Sequence, residues 1–398
     1  MVTKGGGNQA HGAIYEFFRN DHLDARNFFS RGVEPLKQNQ FGVAAGAPLV
    51  RDRLFVFGYY EGFRNRQGFT QSAAVPTAAQ RQGDFSGLPN PPRNNAAGGA
   101  PFPGNRIPES MFHPLSGRIV AMYPHGNIAP SVSSATVVTE NLSNQAGGRV
   151  DFNRSARDQL FSRYSYSKGH NVNPISVRGA PVPGFPTRDD LTAHSAVLAH
   201  TRVLSPVMTN AARVSFFRYE FFFDARLNRT SPRELGFGYD SASALGQGPP
   251  YFNVAGYSPI GGAQSGPRTT AQNTYEAADS LSWFRGAHSI KVGGGFRRNQ
   301  MNVFQATVPN GLMIFTPAAP TSDAFANLLL GAPQIFFQGL GDFGRGLRNW
   351  GLHAFAQDEW RVNRRLTMNY GVRWEAVNPF SEIRGRLNGF VPGVQSKL

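Results

Sequence analysis

Gly293-Gly294-Gly295 is the segment of this sequence nearest to a phosphate cradle, yet neither a Lys-Ser/Thr pair nor a helical pattern comes after it. Small residues inside a tightly coiled strand account for it better. Asp189-Asp190 and the pair Asp21 and Asp24 supply carboxylates without the ring of ordered oxygen ligands that calcium takes, so they read as solvated loop acids. The nine histidines are scattered: His194 and His200 stand six apart, and His11, His22 and His113 lack an HExxH partner. No Gly-x-Ser-x-Gly elbow occurs. The sequence therefore names no catalytic residue, no cofactor-binding residue and no metal ligand, and it reads as a non-enzyme. What remains is a set of aromatics in poorly patterned segments, Phe85, Phe102, Tyr251, Phe252 and Tyr257. These suit stacking on a sugar or peptide ligand, and equally the packing of one loop against another.

The elements that would carry such residues can be inferred from composition. With 398 residues, 40% of them hydrophobic, the chain can bury a core. Forty-five glycines, 28 prolines and 33 phenylalanines favour many turns between short aromatic-rich segments, which points to an all-β class. The absence of cysteine excludes disulfide frameworks, zinc thiolates, iron-sulfur clusters and cysteine nucleophiles. A net charge of +15 permits nucleic acid, anionic membranes or acidic ligands. The charges are spread singly, with Arg297-Arg298 and Arg364-Arg365 the closest clusters, so nucleic acid is not the expected partner. No stretch reaches the roughly 18 apolar residues of a transmembrane helix. The first residues, Met1 to Gly7, contain no apolar signal region.

Alternation is the main structural signal. From Leu366 to Ala376 every even position is apolar (Leu366, Met368, Tyr370, Val372, Trp374, Ala376) and every odd position is polar or glycine. Chance would give this about three times in ten thousand windows, so a single strand is suggestive and recurrence decides. It does recur. Ile290, Val292 and Phe296 oppose Ser289, Lys291 and Arg297; Leu160, Tyr164 and Tyr166 oppose Arg163, Ser165 and Ser167; Val214 and Phe216 oppose Arg213 and Ser215. One face in lipid and one in water produces this pattern, and so does a soluble sandwich. Length separates the two, because Leu352–Val362 and Leu366–Ala376 each match the roughly 9 to 11 tilted residues that cross a bilayer. Brief turns at Asn363-Arg364-Arg365 and Arg285-Gly286-Ala287 contrast with long connections before Asp151, from Leu227 to Gln272 and from Val308 to Gln334. That asymmetry is the habit of an outer-membrane barrel.

Within this scheme Arg163, Lys291, Arg297 and Arg373 face inward and would make a lumen positive, suiting a surface with acidic patches inside it or an anionic ligand. Asp358 shares the parity of Leu352, Ala354, Ala356, Trp360 and Val362. A lipid-facing carboxylate is unfavourable, so it is expected near the interface or beside a bulge. The first strands read as 11–19, 38–46 and 53–64, and the breaker-rich segment 67–145 as one long loop. Short helices are expected from Pro114 to Tyr123 and from Asp323 to Leu330, the latter capped by Ser322.

Several phrases resemble the TonB-dependent outer-membrane receptors, in particular the barrel of the Oar-like group. Val2-Thr3-Lys4 leading to Asn8 and His11-Gly12 is similar to the passage from plug into barrel; Phe17 to Asn20 and Asp24 to Phe29 are similar to the family's next segment. Asn39 to Gly42, Tyr60-Glu61-Gly62, Val75-Pro76-Thr77, Gly83 to Ser86 and Phe102 to Pro108 continue the likeness. So do Arg149-Val150-Asp151, Asp158 to Phe161, His288 to Gly293, and above all Phe355 to Val362 with Leu366 to Glu375 after it. The likeness covers nearly the whole chain.

The resemblance implies a 22-stranded barrel threaded by a plug, which binds an extracellular ligand, carbohydrate or peptide, and imports it with energy from the TonB complex. Against that pattern the expectation is an antiparallel barrel of about ten to twelve strands spanning 1–398, an internal fragment. Residues 1–10 would be a remnant of the plug passage, and 149–398 further strands and loops. Signal peptide, plug and C-terminal strands would lie elsewhere. Its partners would be outer-membrane lipid, the TonB complex through absent N-terminal parts, the plug and remaining strands, and an extracellular ligand. Unclosed edges leave backbone groups that lipid cannot satisfy, so the chain alone is not expected to transport. The rival reading is a soluble or secreted β-rich binding or adhesion module, in which the Trp360, Tyr370 and Trp374 face would point into a core between sheets.

Overall fold

The computed structural model describes residues 4–26, 28, 32–175, 180–224, 227–387 and 392–395. The expectations placed on Val2, Thr3, Asn27 and Phe29 lie outside them. Eleven strands succeed one another around a single antiparallel sheet: β1 His11–Asn20, β2 Leu36–Val50, β3 Leu54–Ala74, β4 Val132–Ser155, β5 Asp158–Asn173, β6 Thr187–Ser205, β7 Met208–Asp224, β8 Ser265–Arg285, β9 His288–Thr307, β10 Gly344–Asn363 and β11 Leu366–Val377. Each pairs with its neighbours in sequence, the pattern of an up-and-down barrel wall, and the sheet is not closed on itself. A two-residue strand, Ser381–Glu382, adds to β10 beyond the end of β11.

One rim carries only short turns, at 51–53, 156–157, 206–207, 286–287 and 364–365, and the opposite rim carries every long connection. Register irregularities sit beside four of the short turns, for example between Arg361 and Asn363 and between Pro48 and Val50. Such bulges sharpen the local twist where the chain reverses.

The strands rise farther than the alternation shows. β3 runs on to Ala74 and β4 begins at Val132, so both ends of the expected 67–145 loop are strand and the connection is 75–131. Gln67 to Ala74 pairs residue for residue with Val132 to Thr139, and polar side chains on both faces hide the pairing from a reading of hydrophobic period.

The buried core lies in the long connections, where 75–131, 180–186, 227–264 and 308–343 fold together into a cap. Its helices are α1 Ala78–Arg81, α2 Ser116–Val120 and α3 Ala324–Leu329. A small sheet pairs Tyr251–Val254 with Ile260–Gly261 and Leu312–Phe315, and the latter with Ile335–Phe337. Thr77 and Gln80 form a capping box on α1. At α3 the cap is Asp323, whose carboxylate accepts the Ala326 N–H at 2.8 Å; Ser322, the expected cap, accepts instead from the Arg93 N–H at 3.2 Å. Gly331, at φ +69°, ends α3 with His113 pressed against it, leaving no room for a Cβ.

Candidate ligand passage and membrane face

The hydrogen-bond register assigns every strand residue to one of two faces. Val56, Val150, Leu198, Val214, Phe296 and Leu352 stand in one row across the sheet. The adjacent row on the opposite face holds Phe57, Arg149, Arg163, Ser215, Glu276 and Arg297. No second layer packs on the apolar row among the described residues: Val214 is 50% exposed, Val372 69% and Trp374 56%. A sandwich core would cover those side chains, so the rival soluble module loses its basis. The polar face receives the leading segment of the chain, with Gly5 against Asp151 and Gly6 against Phe55.

The apolar face forms a band of definite height. At the turn rim it starts with Trp283, opposite Met208 and Ile290, and Trp360, opposite His288. Above, charged side chains appear on the same face, Arg64 on β3, Arg218 on β7 and Arg298 on β9, each in its own row. Met208 to Arg218 and His288 to Arg298 are each ten residues. At about 3.4 Å per residue and a tilt near 40°, that is about 26 Å, the height of the lipid-facing band of a membrane barrel, about 25 Å.

Carboxylates interrupt this face, Asp358 and Asp279 among them. Asp358 lies two residues above Trp360 and three before the Arg361/Asn363 irregularity, about 5 Å into the band. Its Oδ2 accepts from the Tyr370 hydroxyl at 2.8 Å and lies 2.6 Å from His288 Nδ1, while the His288 ring stacks on Trp360 at 5.4 Å. This is the interfacial setting that its parity requires. Asp279, four residues above Trp283, is a deeper carboxylate that the alternation did not flag; Asn210 Nδ2 donates to it at 2.7 Å.

All four expected inward basic residues fall on the polar face. Arg163 and Arg297 share a row, and Lys291 and Arg373 meet in one shallow depression with Phe355, Gln357 and Gly371. Their field is largely balanced: Arg297 pairs with Glu276 at 2.7 Å, Arg213 reaches the same carboxylate at 3.5 Å, Arg149 pairs with Asp151 at 2.6 Å, and Arg373 pairs with Glu375. Acids thus occupy the same rows as the bases, and part of the expected positive charge on this wall is ion-paired. Lys291 has no carboxylate partner among the described residues. Gly293 and Gly295 lie on this face in mid-strand, where the Phe355 and His353 rings fold over them with no space for a Cβ.

Of the two readings open for the five loop aromatics, ligand stacking and loop-against-loop packing, their positions in the structure fit packing. Phe85 and Phe252 are fully buried, Phe102 and Tyr251 nearly so, and Tyr257 packs on Phe325 at 5.2 Å and Tyr123 at 6.4 Å. A cap this large needs its own core, and these rings supply it. Burial pushes the Tyr257 hydroxyl up to about 12 and raises Tyr123 as well. Burial also raises the Asp323 carboxyl, whereas the Ser86 and Arg106 donors hold Asp84 down at about 2. The aromatics exposed on the cap are Phe336 and Phe337, on an edge strand of its small sheet. Periodicity passes over them because they sit in an apolar run without alternation.

The chain's residues 2–397 match the family model described as outer membrane beta barrel domain. Among solved structures it is similar to the outer membrane transporter YddB from Escherichia coli (10% identity, TM-score 0.49, covering 94% of this chain and 40% of that one). It is also similar to FpvA of P. aeruginosa, solved with heterologous pyoverdines (9%, 0.46, 88% and 37%), and to the ferric-catecholate import receptor Fiu of E. coli K12 (11%, 0.46, 95% and 42%). The chain spans about 40% of the length of these structures. No curated protein matches it.

Proposed function

Because the chain belongs to the outer membrane beta barrel domain family, we propose that it forms part of the wall and the extracellular cap of a TonB-dependent receptor-transporter of Oar-like type. It is an outer-membrane protein. The observation that carries the proposal is the apolar face measured on β7 and β9, ten residues from the tryptophan-bearing turn rim to Arg218 and Arg298, on a sheet whose other face is polar. The cap gathers the long connections on the rim away from the turns, where a receptor meets its ligand. The ligand class in this reading is a carbohydrate or peptide.

The chain works as one portion of a larger barrel. β1 and β11 each pair on one side only among the described residues, and both run in the same direction because eleven is odd. A second copy in the same membrane orientation would have to pair in parallel at both seams. Antiparallel closure takes an odd number of other strands, which the rest of the receptor supplies together with the plug and the TonB contact.

The test is the solution behaviour of the purified chain, measured by sedimentation with and without detergent. Folded monomer only in detergent is expected. A folded monomer in plain buffer would refute the membrane wall. For the ligand, uptake of labelled oligosaccharides or peptides by cells carrying the whole receptor should stop when the proton-motive force is collapsed; uptake that persists would refute energised import.

A further inference from the structure

We propose that the turn rim of this sheet is a binding surface for anionic phospholipid headgroups in the leaflet on the turn side. The inference rests on the membrane reading above and adds the lipid class. The segments 51–53, 154–158, 202–207, 285–288 and 361–365 together hold nine arginines against Asp52 and Asp158. That is seven of the chain's fifteen net positive charges in five short segments. The long connections 75–131, 227–264 and 308–343 hold six basic and six acidic residues, so the excess belongs to one rim and not to the cap.

All nine arginines are exposed. Apart from Arg202, 3.9 Å from Asp158, none has a carboxylate within ion-pair distance among the described residues. Their level in the membrane is fixed independently by the rings beside them. Trp283 and Trp360 stand two residues before Arg285 and one before Arg361, at the lower boundary of the apolar band, and the Arg285 guanidinium lies 5.2 Å from the Trp283 ring centre. Tryptophan marks the boundary between hydrocarbon and headgroup, so guanidinium groups just beyond it sit at phosphate height. Guanidinium binds phosphate in a two-point fork, and each basic residue at an anionic surface raises affinity by roughly fivefold.

The experiment uses the detergent-solubilised chain carrying Trp350→Phe and Trp374→Phe, so that Trp283 and Trp360 are the fluorophores. Brominated phosphatidylglycerol or brominated phosphatidylcholine is titrated into mixed micelles and quenching is recorded. The expected result is a preference for phosphatidylglycerol of about tenfold or more in low salt, vanishing in high salt as exposed charges are screened. Arg285→Gln/Arg364→Gln/Arg365→Gln should reduce the preference below about twofold, and Arg93→Gln/Arg229→Gln/Arg233→Gln on the cap should leave it intact. Equal quenching by both lipids overturns the rim proposal and leaves the membrane reading standing. No quenching by either lipid overturns both. Loss of the preference in the cap variant overturns the rim proposal by moving the contact elsewhere, and phosphatidylcholine quenching of the rim variant confirms that it is folded.

Discussion

Val214 and Ser215 are neighbours on β7 that the register sends to opposite faces, which makes them a direct test of which side of the sheet meets lipid. Val214 stands opposite Leu198 and Ala277, half exposed, with no protein layer over it. It is six residues above Met208, about 16 Å along the membrane normal in a band about 25 Å tall, close to the middle. An arginine at that depth on a lipid-facing position costs about 2 to 4 kcal/mol. Ser215 faces Glu276 across the strand pair, so an arginine there finds water and a carboxylate and should cost under about 0.5 kcal/mol. Denaturant unfolding of Val214→Arg and Ser215→Arg in lipid, monitored by tryptophan fluorescence, reads the difference as about 30-fold to 1,000-fold in the folding equilibrium. In a soluble sheet with the same exposure, Val214→Arg would cost almost nothing. Equal costs at the two positions, or a larger cost at 215, would refute the assignment of faces.

Replacing Asp279 by leucine removes a carboxylate from inside the band and should stabilise the folded protein in lipid by about 1 to 2 kcal/mol; a loss of stability by the same denaturant assay would show that Asp279 faces something other than lipid. Phe325→Ala empties a fully buried ring site between Tyr123 and Tyr257 and should cost the cap about 3 to 5 kcal/mol. Hydrogen exchange should then accelerate in 75–131 and 308–343 and stay unchanged in the lower halves of β8 and β9. Asn327→Leu should loosen the same region, since its side chain donates to Thr316 O and Ala318 O and accepts from Thr321 N–H and Oγ1–H, a set that leucine leaves unsatisfied; unchanged protease resistance of the cap would count against it. In alkali the cap should open as its buried tyrosines ionise. A raised folded pKa means stability held below the ordinary value near 10 and lost as pH climbs through about 12, read as late phenolate absorbance with loss of near-ultraviolet dichroism.

The parts of this fold that were legible are those where one face meets hydrocarbon. β11 and the lower halves of β9 and β10 show their alternation because lipid tolerates few exceptions, and their turns lie where the alternation stops. The same strands become unreadable once they leave the membrane. Gln67 to Ala74 and Val132 to Thr139 form long ladders through backbone pairing alone, with water on both faces, so no selection for period acts on their side chains. Asp279 escaped notice for a related reason: the sequence pairs it with nothing nearby, and its partner Asn210 is on another strand.

The cap was the harder problem because its contacts link distant segments. Phe85, Phe252 and Phe325 share one core although they come from three separate connections, and no local pattern announces such a meeting. A large aromatic in a loop has two destinations, a ligand or a private core, and composition cannot choose between them; Phe85, Phe102 and Phe252 sit in the core, Tyr251 is buried, and Tyr257 packs half-buried against the core. That choice redirects the search for a ligand. In the proposed role the recognition groups must be presented without dismantling the cap, so the groups to test are those the cap leaves outside its core, Phe336 and Phe337 on the edge of the small sheet, and, below it, Lys291 on the polar wall, without an acid partner among the described residues. A ligand that contacts the cap should be lost on Phe336→Ser/Phe337→Ser with the cap still protease-resistant. One that contacts Phe85 or Phe252 could bind only after the core opened, and its affinity would then rise under conditions that weaken the cap.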